Sequence, residues 1–149
     1  MSKFTLEYLQ DYAEIRALSA MYNRYANTAD GDQLSLLFLE DGEFCSNGQV
    51  YRGRRELARV VSSAREIVHI TTDALIDVEG DEATQTSQKI SVRRQPDKSL
   101  NRFVSTGRYI DRLVRTEVGW RFQRRESQSD LRSDLHRRAM NLTDGRLGS

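Results

Sequence analysis

Apolar and polar positions change rhythm once along the chain. Through roughly the first 65 residues apolar side chains recur at intervals of three and four; over the following stretch they alternate. Helices first and strands afterwards predict an α+β fold rather than alternating βα units. A first helix is expected from about Thr5 to about Ala29, with Ile15, Leu18, Tyr22, Tyr25, Ala26 and Ala29 forming one apolar face. Asp30-Gly31-Asp32 interrupts the pattern, and Asp32 is placed to cap a second short helix carrying Leu34, Leu37 and Phe38. Glu43 to Tyr51 reads as a hairpin around Asn47-Gly48, the pair a type I′ turn favours. Gly53 to about Ala64 reads as a third helix, with Leu57, Val60 and Val61 on one side.

Four long strands follow, at about Ile67–Val78, Ala83–Arg94, Arg102–Val114 and Trp120–Glu126. The turns between them are short, so the strands should form an antiparallel meander. A sheet of this length curls, and helices laid on its concave face leave a cone-shaped pocket. In the last strand Trp120 and Phe122 alternate with Arg121, Gln123 and Arg125, so both sets cannot face the core without a bulge or a subunit contact. The tail from Ser127 to Ser149 is polar and arginine-rich. Its spaced Leu131, Leu135, Ala139 and Leu142 suit a lid, a subunit contact or a frayed end. The chain reads as one domain over residues 1–149.

Composition narrows the function classes. A length of 149 residues supports one core. The net charge of +1, with charged residues dispersed, gives no general pull toward nucleic acid or an anionic membrane. Basic pairs such as Arg137-Arg138 lack the stacking aromatics of a nucleic-acid surface. The single cysteine, Cys45, excludes an intrachain disulfide and a cysteine-rich zinc site. No apolar run approaches the about 20 residues of a membrane span, and the first residues lack a signal-peptide core. A cytoplasmic location is expected.

Several segments together resemble the SnoaL-like and scytalone-dehydratase-like group of the nuclear transport factor 2-like superfamily. They are Ile15 to Phe38, Glu40-Asp41-Gly42-Glu43-Phe44, Tyr51-Arg52-Gly53-Arg54, His69 to Ala83, and Gly107 to Arg125. The resemblance implies a curved sheet wrapped around N-terminal helices, a homo-oligomer (a trimer in preference to a dimer) and cofactor-independent chemistry on a small molecule. The dehydratases of the group share a site plan. It places a Tyr near the end of the first helix, an acid just after it, a His at the start of the first long strand and an Arg on the last. On this chain these positions are Tyr25, Asp30, His69 and Arg125; an ungapped reading puts Asn27 rather than Asp30 at the acid position.

Those residue types suit elimination next to a carbonyl. An imidazole can take and return a proton near neutrality. A carboxylate at Asp30 would set its tautomer, Tyr25 would polarise the carbonyl, and Arg125 would hold an anionic or carbonyl group. Arg108, Tyr22 and Cys45 are further lining candidates. The activity implied is a dehydratase-type lyase on a cyclic or polyketide-like hydroxy-carbonyl compound. An isomerase or cyclase, or a non-catalytic ligand-binding module, would use the same fold. Each residue also has a plainer role: Asp30 as helix punctuation, Tyr22 and Tyr25 as core, Arg125 as part of a solvated cluster with Arg121 and Arg124, and His69 and His136 as ordinary strand and tail positions.

Overall fold

The computed structural model describes residues 4–63, 66–97 and 102–130. Helix α1 spans Leu6–Thr28; Thr5 caps it by accepting a hydrogen bond from the Tyr8 N–H, and Ala29 ends it in the left-handed region at φ 55°. Helix α2 is only Gly31–Ser35. Its cap is Asp30, whose carboxylate accepts from the Gln33 N–H, and not Asp32 as the sequence suggested. Gly31 lies so close to the following helix that a Cβ would sit 2.0 Å from the Ala58 carbonyl oxygen. Leu37 and Phe38 fall outside α2. Phe38 opens strand β1 (Phe38–Ser46), because pairing with Phe122 satisfies it better than one more helical turn. Strand β2 (Gln49–Arg52) returns through the expected Asn47-Gly48 turn, both residues at positive φ. Helix α3 covers Arg54–Ser62.

The four long strands are β3 (Ile67–Glu79), β4 (Glu82–Arg93), β5 (Arg102–Thr116) and β6 (Gly119–Ser129). They form the expected antiparallel meander within one six-stranded sheet ordered β2-β1-β6-β5-β4-β3. The β1–β6 pair is parallel, so the curved sheet is mixed. Strand β6 runs three residues beyond its expected end, and Ser127 is buried in it. The tail positions 131–149, including His136 and the leucine stripe, lie outside the described residues.

Burial of α1 against the sheet makes the core. Ile15, Leu18, Tyr22 and Ala26 face Leu34, Phe38, Leu57, Tyr109, Leu113, Trp120 and Phe122. Two ties fix the helix along its length. Near its start, Asp11 accepts a bidentate ion pair from Arg115 (2.6 and 2.9 Å) and a bond from the Trp120 indole (3.0 Å). Along its length, α1 side chains bind the backbone of the edge strand β3: Tyr8 to the Ile76 carbonyl, Arg16 to the Thr72 carbonyl, and Asn27 to both the carbonyl and the N–H of His69. Occupied in this way, the edge offers fewer free groups for pairing with another chain.

Candidate functional site

The sheet register lays the concave face out in rows. Deepest are Ile76, Gln85, Asp111 and Arg125; next come Ala74, Ser87, Tyr109 and Ser127; then Thr71, Lys89, Gly107 and Ser129; then His69, Ser91 and Ser105. Toward the His69 end the residues around Lys89 and His69 are serine, threonine and glycine. At Gly107 a Cβ would meet the Gln128 carbonyl oxygen at 2.0 Å, so the strand spacing itself demands glycine. Small side chains lie under the last turns of α1, and their hydroxyls make this part of the face polar.

The deep row is a structural network. Arg125 is 0% exposed and donates two bonds of 2.8 Å to the two oxygens of Asp111, itself 0% exposed. The guanidinium carbon lies 4.1–4.3 Å from the ring centres of Tyr22, Tyr109 and Phe122. Gln85 donates to Asp111 and to Ser19 on α1, at 2.7 Å each. Arg125 reaches the interior because β6 carries a bulge: Leu113 pairs with Phe122 while Arg112 pairs with Arg124. The extra residue, Gln123, restores Arg125 to the face of Phe122, resolving the parity conflict in the sequence. Burial drives the Tyr22 pKa up to about 12, with Asp111 adding to it and Arg125 opposing.

Arg125 is therefore held by Asp111 and walled by aromatic rings rather than free to grip a substrate. Tyr22 is the core ring that packs on it. Arg108 is also displaced from its expected place: it is exposed on the convex face, where it donates to Gln128. Cys45 is buried, but it pairs with Glu126, one position out of phase with the Phe44–Arg125 pair, so it belongs to the convex face and not to the pocket. Asp30 is exposed, with its carboxylate committed to the α2 cap. Its backbone N–H is donated to the Tyr25 carbonyl. Tyr25 is half-buried against the core, and among the described residues no hydrogen bond joins it to His69.

Asn27 is the residue that meets His69. Its amide accepts from the His69 N–H at 2.7 Å and donates to the His69 carbonyl at 3.2 Å, so it holds the backbone and leaves the imidazole unengaged. The ungapped reading put Asn27 at the acid position; the residue there is an amide, and it binds the His69 backbone and not the ring. The imidazole is half-buried and its Nδ1 has no hydrogen-bond partner. Burial first, then the charges of Lys89 and Arg125, lower its pKa from 6.5 to about 4. It is thus a neutral imidazole at neutral pH.

Lys89 is the functional candidate that sequence reasoning missed. It is only 6% exposed, on the concave face, donating to the Ser127 hydroxyl, with Nζ 5.3 Å from the centre of the Tyr109 ring. Burial is the main cause that lowers its pKa; Arg125 lowers it further and Asp130 opposes. A signal existed: Lys89 shares the parity of Ala83, Gln85 and Ser87, but a polar inward face looks like an outward one in a bare sequence. Arg93, on the same strand, is exposed.

Among the described residues the buried side-chain atoms without partners are Asn23 Oδ1, His69 Nδ1, Gln85 Oε1 and Arg125 Nη1, all between α1 and the sheet. Concavities that open on the outside, one of about 420 Å³ by Asp77, Thr84, Arg112 and Gln123 and one of about 720 Å³ around Arg52, Arg55 and Arg59, are bounded by solvated charges. No three His, Cys, Asp or Glu side chains gather as metal ligands among the described residues.

Comparison with known proteins agrees with this architecture. A variant of Rv3472, a function-unknown protein from Mycobacterium tuberculosis, superposes with a TM-score of 0.78 at 33% identity, over 86% of this chain and 76% of that one. A nuclear transport factor 2-like protein with a cystatin-like fold from Novosphingobium aromaticivorans gives 0.77 at 29% identity, covering 89% and 90%. A candidate scytalone dehydratase from the same organism shares the fold, with a TM-score of 0.72 at 22% identity over 83% and 86%. Among curated proteins none matches. The model of the SnoaL-like domain matches residues 7–126, and with the helix-filled curved sheet that match carries the assignment: this chain belongs to the SnoaL-like family.

Proposed function

We propose that this protein is a cofactor-independent lyase of the dehydratase type, acting on a small hydroxy-carbonyl compound bound between α1 and the concave face. One observation carries the reading: the unengaged His69 Nδ1, buried beside a floor of small polar residues. A neutral imidazole there can take the proton next to a carbonyl and return it to the departing hydroxyl, which leaves as water. With Asp30 turned outward, the imidazole works without a carboxylate partner. A pKa of about 4 makes it a weak base, so the reaction leans on stabilisation of the enolate oxygen. Incubation with a panel of cyclic β-hydroxy-carbonyl compounds, followed by mass, tests this. Loss of water that disappears in His69→Ala is expected; a product of unchanged mass would make the activity an isomerisation or cyclisation.

The Asn27 amide favours a second reading, a module that binds a small ligand without turning it over. Tight binding with no change of mass in any ligand would establish it. We further infer a homo-oligomer assembled through the convex face, where Ile70, Leu75, Ile90 and Ile110 are exposed on adjacent strands.

A further inference from the structure

We propose that Lys89 is the oxyanion-binding cation of the interior, and that the ligand class is one presenting a carboxylate, enolate or phenolate oxygen to its ammonium. The inference rests on the concave pocket being a ligand site, and it names the charge that site accepts. Its basis is an imbalance of buried charge. Two cations flank the Tyr109 ring: Lys89 Nζ at 5.3 Å and the Arg125 guanidinium carbon at 4.3 Å from its centre. Both oxygens of Asp111 accept from Arg125, and one accepts from Gln85 as well. His69 adds no negative charge, and Tyr22 and Tyr109 are held as neutral phenols by burial. Asp130 acts on Lys89 at a distance, from an exposed position at the end of β6. Among the described residues no carboxylate stands within ion-pair distance of Nζ; its hydrogen-bond partner is the neutral Ser127 hydroxyl.

A buried ammonium without a counter-charge is costly in the free protein, and an anionic ligand relieves that cost. The position also fits chemistry. Lys89 pairs with Thr71 and with Gly107, so its neighbours in the row are small, and His69 stands one row above on the same face. An oxygen that becomes anionic at Lys89 cancels part of the charge that holds His69 down, and so strengthens His69 as a base while the proton is being removed.

Titration of the full chain with 4-nitrophenol, followed by the phenolate absorbance, tests the assignment, with neutral nitrobenzene as the isostere. The bound phenol should ionise more readily than the free one. Lys89→Met should cancel that preference, weakening phenolate binding by roughly ten- to a hundredfold, as loss of one charge-assisted hydrogen bond does. Nitrobenzene binding should be unchanged, and the variant's Tm should hold or rise because a buried charge is gone. Lys89→Gln, polar and of similar reach, serves as a second uncharged variant. A phenol that ionises alike bound and free, or a shift that survives both substitutions, would overturn the proposal. Equal binding of both compounds sinks the oxyanion assignment alone; uptake of neither sinks the interior ligand site with it.

Discussion

His69 carries a pH dependence whose sign follows from its surroundings. Its folded pKa of about 4 lies below the 6.5 of an ordinary imidazole. Above about 6.5 both folded and unfolded chains hold it neutral, and stability is full. As pH falls from there toward about 4, the unfolded chain takes up a proton that the folded chain refuses, and stability is lost. Allowing for partial exposure, the loss is roughly 2 kcal/mol. Urea unfolding at neutral pH and near pH 4.5 measures it, and His69→Gln should flatten this part of the slope; equal slopes would contradict the burial described. Asp30 gives the contrasting case. Asp30→Ala should cost about 1 kcal/mol through the lost α2 cap. It should leave the NMR titration of the His69 ring where it was. A displaced titration would mean that the carboxylate does act on the imidazole.

Among the elements, the β5–β6 pair carries the largest electrostatic commitment. Removing Asp111 by Asp111→Leu strands the Arg125 charge in a buried, aromatic cage, and a loss of about 3–5 kcal/mol is expected. The double variant Asp111→Leu with Arg125→Met should recover most of that, because two apolar side chains of similar volume need no counter-charge. Chemical denaturation of the two variants checks this; a single variant as stable as the parent would show that the guanidinium finds water. The same strands mark what could be read beforehand. The four long strands, their order and their short turns follow from alternation and from turn residues. The start of β1 at Phe38 did not, because Leu34, Leu37 and Phe38 keep a helical spacing, and only the aromatic partner Phe122, distant in sequence, draws Phe38 into a strand. The bulge at Gln123 was legible as a contradiction of parity, though not its exact place.

At the scale of the molecule, the proposed homo-oligomer would assemble through the convex face. Leu75 and Ile70 are 81% and 49% exposed on β3, beside Ile90 and Ile110, amid charged ladders such as Arg52–Glu43–Arg124. Sedimentation of the full chain should give a multiple of 17.2 kDa, and Leu75→Glu with Ile110→Glu should release monomers that keep the far-ultraviolet spectrum. Monomers at high protein concentration in the parent chain would end the assembly reading. Among the described residues no helix is long and apolar enough to cross a membrane.

Local pattern determined the class of this protein. Helical spacing, strand alternation and the Asn47-Gly48 turn are short-range effects, and a family-like order of segments adds their sequence. They sufficed for helices on a curved sheet and for His69 as a candidate. What the tertiary structure alone decided is which side each residue faces and what it meets there. It turned Asp30 outward to cap a helix, sent Arg108 and Cys45 to the convex face, locked Arg125 to Asp111 and brought Lys89 inward. The reason is that burial, charge pairing and β-bulges depend on partners that can be more than a hundred residues away, as Arg115 is from Asp11, and a strand's polar inner face has the same alternation as its outer one.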